Sequence, residues 1–127
     1  MEIRKLQKII VAALEDIKGK DIEVINTAKV SSMFDCVVIA TGESNRQVRA
    51  LARNVSEKAR EAGAEVISME GEDSGEWVLV DLGDIVVHVM QPTVRQYYNL
   101  EELWQTTPAQ RRKAAEQAAE QDAAKGN

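Results

Sequence analysis

The sequence predicts a single α/β domain in which helices pack on a mixed β-sheet of about five strands. Three observations support this fold class. An amphipathic helix pattern opens the chain, a strand, a helix and a strand follow one another in its middle, and two more strands meet at a tight turn near Gly83. At 127 residues the chain can bury one hydrophobic core, and its 44% hydrophobic and 29% charged residues are typical of a globular protein.

The first element is an amphipathic helix over residues 2–18. Apolar residues recur there at three- and four-residue spacing with charged residues between them, and Gly19 ends the pattern. A strand is predicted at the sequence DIEVIN, residues 21–26. The next strand, FDCVVIA at 34–40, is apolar on both faces, which is typical of a central strand that is covered on both sides.

The second helix is expected to begin at the turn TGESNRQ, residues 41–47, and to end at Ala62 before Gly63. Ser44 and Gln47 have the S-x-x-Q spacing of a capping box, in which both side chains bond to backbone groups at the helix start. A phosphate-binding loop is the alternative. One glycine without an adjacent lysine is a weak signal for such a loop, so the sequence favours the cap.

A third strand is predicted at EVISM, residues 65–69. It completes a strand, helix, strand crossover, so it should run parallel to the strand at 34–40, either beside it or with another strand between them. Near the end of the domain, Pro92 suits the first turn of a short helix, and a break is expected near Asn99.

The composition changes at Thr106. From there on the chain contains no Leu, Ile, Val, Met or aromatic residue, and therefore has little to bury in a core. We predict a folded domain over residues 1–105 and a solvated, flexible tail over residues 106–127. An Arg-Arg-Lys cluster in the tail could make a minor contact with RNA, although a merely soluble surface is the simpler interpretation.

The net charge of −5 argues against a protein that coats bare nucleic acid and suits a basic partner. The single cysteine, Cys36, lies in an apolar run, which favours a small buried hydrophobic residue in a reducing cytoplasm. The apolar run IIVAAL near the start is too short to cross a bilayer, so neither a membrane anchor nor a signal peptide is expected.

The stretch EWVLVDLGDIVVHVM, residues 76–90, is predicted to form a hairpin with a two-residue turn at Leu82 and Gly83, since glycine tolerates the positive φ of a tight turn. This register places six residues on one face: Asp81 opposite Asp84, Leu79 opposite Val86, and Trp77 opposite His88. The other face is wholly apolar and is therefore the core side. Its residues are Val78, Val80, Ile85, Val87 and Val89.

The hairpin geometry disfavours a metal or catalytic site. Asp84 and His88 are four residues apart on one strand, about 13 Å between Cα atoms, so they cannot hold one ion. Asp81 and Asp84 could chelate a divalent cation as a pair, but acidic residues at a turn are more often solvated. A histidine opposite Trp77 is more often a packed or interface residue than a general base. We therefore expect no metal, cofactor or catalytic residue.

The same face favours a protein-binding surface. Aromatic residues concentrate in the last third of the predicted domain, and Leu82 is expected to protrude at the turn; exposed Trp, Tyr and apolar residues are the usual anchors of interfaces. The alternative is that the aromatic residues pack the last helix onto the sheet, Trp104 above all. The predicted surface has an apolar centre with a charged rim: Trp77, Leu82, His88, Met90 and a tyrosine, with Asp81, Asp84 and Arg95 around them.

These segments resemble the ribosomal silencing factor family, also called Iojap-related. The resemblance is carried by DIEVIN, SSMFDCVVIATGESNRQV, EGEDSGEWVLVDLGDIVVHVMQPTVRQYY and LEELW, and its most specific part is W-x-x-x-D-x-G-D-x-x-V-H-x-M. It implies a nucleotidyltransferase-like fold without demonstrated enzymatic activity. It also implies binding to the fourteenth protein of the large ribosomal subunit, where the bound protein blocks joining of the small subunit and lowers translation when nutrients are scarce.

The resemblance assigns partner binding to nine positions of this sequence: Trp77, Asp81, Leu82, Gly83, Asp84, His88, Met90, Arg95 and Tyr98. Gln47 stands where many members have histidine, so no role for that histidine can be transferred. A homodimer formed through the aromatic face stays open, as does a role in assembling the large subunit, to which organelle relatives are linked. An enzyme is the third alternative. It would use the turn at Gly42, but it needs carboxylates two apart on one strand, which the hairpin does not offer.

Overall fold

The structure, a computed structural model, describes residues 2–100 and 102. The helices are α1 (Ile3–Asp16), α2 (Asn45–Glu61) and α3 (Pro92–Tyr98), and the strands are β1 (Lys20–Asn26), β2 (Cys36–Thr41), β3 (Ser68–Glu70), β4 (Trp77–Asp81) and β5 (Ile85–Met90). All five strands form one sheet in the order β1-β2-β5-β4-β3. The predicted α/β fold with a mixed five-stranded sheet is confirmed. Its relation to the nucleotidyltransferase fold stays a prediction.

The central strands are the parallel pair β2 and β5, and the other neighbouring strands are antiparallel. Every residue of β2 is buried, as expected for a strand covered on both sides. The strand β3 runs parallel to β2 but is separated from it by two strands, β5 and β4. The parallel direction is as predicted, but two strands lie between β2 and β3 instead of at most one, and β3 is only three residues long.

The first face of the sheet carries the main core, under α1 and α2. The wholly apolar face predicted for the hairpin lies here, and all five of its residues are fully buried: Val78, Val80, Ile85, Val87 and Val89. Cys36 belongs to the same core, which confirms the prediction of a buried hydrophobic residue. Burial also raises the pKa of its thiol, so the thiolate is disfavoured.

The start of α2 confirms the capping box. The Ser44 side-chain oxygen accepts a hydrogen bond from the backbone N–H of Gln47 at 3.1 Å, and the Gln47 side-chain oxygen accepts one from the backbone N–H of Glu43 at 2.7 Å. The Gln47 amide group also donates to the carbonyls of Ile17 and Lys18. Gln47 therefore ties the start of α2 to the end of the first helix, a structural role that needs no bound phosphate.

The hairpin turn differs from the prediction by one residue. Its two turn residues are Gly83 and Asp84, and Leu82 pairs with Ile85 through a 2.9 Å bond from its N–H to the Ile85 carbonyl. Only the first turn residue has positive φ, at 88°, as in a type II′ turn. The shift changes each opposing pair but leaves the two faces as predicted, because it moves the register by an even number of residues.

The shifted turn has a physical cause in the side chain of Leu82. Its position continues the apolar face of β4, and the shift places the side chain in the main core, where it is 7% exposed. Burying a leucine contributes about 1.5–3 kcal/mol relative to exposing it. The prediction that Leu82 protrudes at the turn is therefore wrong.

The last helix ends where the sequence indicated. Asn99 adopts the left-handed conformation, with φ of 46°, directly after α3, and its side chain donates to the Glu102 carboxylate. Leu100 then packs on the second face of the sheet. The packing of Trp104, the domain boundary at residue 105 and the tail over 106–127 lie outside the described residues and stay predictions.

Candidate functional site

The second face of the sheet brings the predicted aromatic residues together. A small buried cluster forms its floor: Ile25, Val37, Ile39 and Met90. Trp77 packs against this floor from β4, and Val94 of α3 packs beside it. The short helix therefore covers one part of the face and delivers its tyrosines next to the tryptophan.

Four rings make up what we call the aromatic cluster: Trp77, His88, Tyr97 and Tyr98. The centroids of the Trp77 and Tyr98 rings are 4.9 Å apart, with the planes tilted by 45°, and Tyr97 and Tyr98 meet edge-on at the same separation. Both arrangements lie in the favourable range for aromatic pairs. Tyr98 is 47% exposed, so the cluster runs from the sheet to the protein surface.

Trp77 and His88 are joined by a hydrogen bond as well as by packing. The indole Nε1–H of Trp77 donates to Nδ1 of His88 at 3.0 Å, and the ring centroids are 5.8 Å apart. The two residues are diagonal neighbours, because His88 lies opposite Leu79 and Trp77 lies opposite Met90. With Nδ1 acting as an acceptor, the neutral imidazole carries its proton on Nε2.

Burial sets the protonation state of His88. Removing the ring from water lowers its pKa from the ordinary 6.5 to about 4. The imidazole is therefore neutral at pH 7, which is the state that accepts the indole hydrogen bond. A charged ring would carry a proton on Nδ1 and could not accept this bond.

We expect the free energy of unfolding to fall as the pH is lowered from 7 to 5. The unfolded chain binds a proton on His88 near pH 6.5, whereas the folded chain does so only near pH 4, so acid favours the unfolded state with a slope of up to about 1.4 kcal/mol per pH unit. The chain has one histidine, and histidine is the side chain whose ordinary pKa lies in this pH range. Urea unfolding at several pH values measures the slope. The His88→Asn variant should lose it, and an equally steep wild-type and variant profile would contradict the assignment.

Arg95 anchors the helix that carries the tyrosines. Its guanidinium donates to the side-chain oxygen of Thr41 at 2.7 Å, and Thr41 is buried at the end of β2. Through this hydrogen bond Arg95 fixes α3, the helix that carries the two tyrosines, against the central strand β2. The structure gives Arg95 a role in positioning α3. Its place in a charged rim stays a prediction.

Two of the predicted surface residues are not at the surface. Met90 is fully buried in the floor under Trp77, because α3 and Leu100 cover that part of the face. Leu82 lies on the opposite face of the sheet, in the main core. The expectation that these two side chains are exposed anchors is therefore wrong, while a role of either residue in partner binding stays a prediction.

The acidic turn is built differently from the predicted pair of facing carboxylates. Asp81 lies opposite Val86, and its carboxylate accepts a hydrogen bond from the backbone N–H of Gly83 at 2.9 Å. The side chain of Asp84 is exposed, while its carbonyl accepts from the N–H groups of Asp35 and Cys36. The turn therefore holds one carboxylate for its own structure and presents the other to solvent.

The sequence reasoning missed the loop that positions Trp77. Gly71 has φ of 93°, and a Cβ atom there would lie 2.1 Å from the Trp77 carbonyl oxygen. The Gln91 side chain donates to the Gly75 carbonyl at 3.2 Å and to the Asn45 side chain, which connects this loop to both helices α2 and α3. The signal that could have revealed it is the pair of glycines in EGEDSGE, directly before the tryptophan.

Among residues 2–100 and 102, no group of three or more His, Cys, Asp or Glu side chains lies in a metal-binding arrangement. Over the same part of the chain, no helix has the length and apolarity to span a bilayer.

Comparison with known proteins identifies the family. The family described as "Ribosomal silencing factor during starvation" matches residues 1–127. A Chromobacterium violaceum protein named ribosomal silencing factor RsfS is 57% identical over 104 residues, which cover 82% of this chain and 85% of that protein. A crystal structure of a protein from the same organism superposes with a TM-score of 0.82 at 55% identity, covering 84% of this chain and 89% of that chain.

A more distant relative carries a different name. A Mus musculus protein named mitochondrial assembly of ribosomal large subunit protein 1 is 30% identical over 99 residues, which cover 76% of this chain and 43% of that protein. The segments quoted for the sequence resemblance therefore led to the correct family. The chain belongs to the family of ribosomal silencing factors during starvation.

Proposed function

We propose that this protein binds the large ribosomal subunit in the cytoplasm, through the fourteenth ribosomal protein, and blocks joining of the small subunit. The observation that carries the proposal is the aromatic cluster, which reaches the surface at Tyr98 beside the rest of the family signature. Tryptophan and tyrosine are the residues on which binding energy at protein interfaces is most often concentrated.

The charges of the chain support a basic partner. Its net charge is −5, and the signature hairpin presents the exposed carboxylate of Asp84 on the turn next to the cluster's strands. Proteins that bind ribosomal RNA are commonly basic, and complementary charge speeds encounter and fixes orientation. The predicted rim of Asp81, Asp84 and Arg95 belongs to this proposal, with Asp81 acting mainly through the shape of the turn.

A steric mechanism needs no chemistry from the bound protein. A folded domain of this size on the joining face of the large subunit would occupy space that the small subunit needs. Ser44 caps α2 and the Asp81 carboxylate bonds within the turn, so each of these side chains has a structural function. We therefore propose a binding protein and not an enzyme.

The test of the proposed function is sedimentation of the purified protein with isolated large subunits, before and after addition of small subunits under joining conditions. We expect co-migration with large subunits alone and fewer joined particles. As a control, Glu57→Ala should bind like the wild-type protein, because Glu57 is exposed on α2, which covers the other face of the sheet. Failure of the wild-type protein to bind either subunit would contradict the proposal.

Assembly of the large subunit is the second candidate function. It is favoured by the name of the mouse relative, which refers to assembly of a ribosomal large subunit. An assembly factor should bind precursor particles better than mature subunits and should leave joining of mature subunits unchanged. Particle profiles from cells that lack the protein separate the candidates: accumulation of incomplete large subunits indicates assembly, and an excess of joined particles during starvation indicates silencing.

A further inference from the structure

The orientation of the Trp77 ring is fixed from two sides. Its indole N–H is held by Nδ1 of His88 at 3.0 Å, and its ring packs against the exposed ring of Tyr98, with centroids 4.9 Å apart and planes tilted by 45°. Backbone contacts at Gly71 leave no space for a side chain near the Trp77 carbonyl, so the main chain of this residue is constrained as well. Such a ring has lost most of its rotational freedom before any partner binds.

We propose that His88 is a positioning residue, which holds the Trp77 indole in the orientation that the ribosomal partner recognises and does not itself contact that partner. The proposal deepens the proposed function and rests on it, because it assumes that the aromatic cluster is the binding surface. It also changes the role that the sequence suggested for His88, from an interface contact to a support behind the interface.

The hydrogen bond is what distinguishes His88 from an ordinary packed residue. A partly buried indole N–H without an acceptor is costly, so without His88 the ring would turn toward water to find one. Turning would break the tilted packing of Trp77 against Tyr98 and leave the partner to reorder both rings on binding. Ordering a large side chain at an interface reduces affinity, whereas a ring that is already ordered avoids this cost.

The surroundings of His88 favour support over chemistry. Its Nδ1 atom is occupied by the indole N–H, and the ring is neutral at pH 7 because burial lowers its pKa to about 4. Its partners on the two neighbouring strands are Leu79 and Ile39, both apolar. Among residues 2–100 and 102, it belongs to no cluster of metal-binding side chains. A neutral acceptor aimed at the indole is the one polar role that these contacts assign to it.

The test compares His88→Leu with His88→Asn. Asparagine can place its side-chain oxygen near the position of Nδ1, and leucine has a similar shape without an acceptor. We expect His88→Leu to weaken binding to isolated large subunits by about tenfold, the size of one lost hydrogen bond. We expect His88→Asn to retain most of the wild-type affinity. Urea unfolding verifies that both variants fold, and His88→Phe, a ring without an acceptor, replaces His88→Leu if the latter does not.

A second measurement follows Trp77 in the free protein. The indole ¹⁵N–¹H resonance of Trp77, assigned with Trp77→Phe because the chain has two tryptophans, should move in His88→Leu and stay near its wild-type position in His88→Asn. Wild-type affinity in His88→Leu would overturn the proposal. So would equal loss of affinity in both variants with an unmoved resonance, since His88 would then contact the partner directly. If the wild-type protein itself does not bind, the proposed function fails, while the resonance still reports whether His88 holds the indole.

Discussion

Replacing Leu82 with glutamate is expected to destabilise the whole domain and not merely to weaken binding. The leucine is 7% exposed and packs in the main core beneath α1 and α2. The variant loses the apolar burial of the side chain and places a carboxylate where no partner charge is described. We expect a loss of about 4 kcal/mol or more, a large part of the 5–15 kcal/mol that stabilises a typical domain. Urea unfolding followed by circular dichroism measures it.

Leu82→Met is the matched control. Methionine is similar in volume and apolar, so it should cost less than about 1.5 kcal/mol. A cooperatively folded Leu82→Glu protein with a wild-type unfolding midpoint and poor binding would contradict the structure, because it would return Leu82 to the exposed tip that the sequence predicted.

The residue patterns of the sequence predicted those parts of the fold where a pattern is compatible with only one local structure. β2 is apolar at successive positions and is fully buried, and the S-x-x-Q spacing at Ser44 became the cap of α2. The two faces of the hairpin were also correct. They depend only on alternation along each strand, which a shift of the turn by a single residue leaves unchanged.

The position of the turn could not be predicted from the alternation of residues between the two faces. Placing Gly83 at either position of a two-residue turn supplies the required positive φ, so the local pattern allowed two registers. The choice between them depends on whether Leu82 can reach the core, which is a tertiary property. Met90 shows the same limit: its place on the second face was correct, but its burial depends on cover from α3 and Leu100.

The sequence leaves two interpretations of the aromatic residues open, packing on the sheet and binding of a partner. The structure shows packing that continues to an exposed ring, and binding stays a proposal. Trp77 packs on the floor of the second face, as the packing interpretation requires. Tyr98 packs against Trp77 in turn, and its ring is 47% exposed. A residue that is half in a core and half in a surface stack is well suited to binding, because its position is fixed before the partner arrives. The hydrogen bond from Trp77 to His88 could not be predicted from a sequence pattern, because it joins residues on different strands.

Replacing Trp77 with alanine should cost binding more than it costs folding. The indole connects the floor, which includes Met90, with the exposed ring of Tyr98, so its removal takes away the ring against which Tyr98 packs. We expect affinity for isolated large subunits to fall by about 30-fold or more, which corresponds to about 2 kcal/mol. The domain should still unfold cooperatively, because the main core on the opposite face is untouched by the change. Co-sedimentation across a range of protein concentrations gives the affinity, and urea unfolding gives the stability.

Tyr98→Ala separates the two effects of the Trp77 change. The tyrosine is more exposed than the tryptophan, so its truncation should leave stability almost unchanged while still weakening binding, whereas Glu57→Ala should change neither property. Together these variants show whether the aromatic cluster is a partner-binding surface or only part of a small second core. If Trp77→Ala and Tyr98→Ala both bind normally, the aromatic cluster is not the interface. If Trp77→Ala fails to fold and Tyr98→Ala binds normally, the tryptophan is a core residue, and the ribosomal partner must contact another part of the domain.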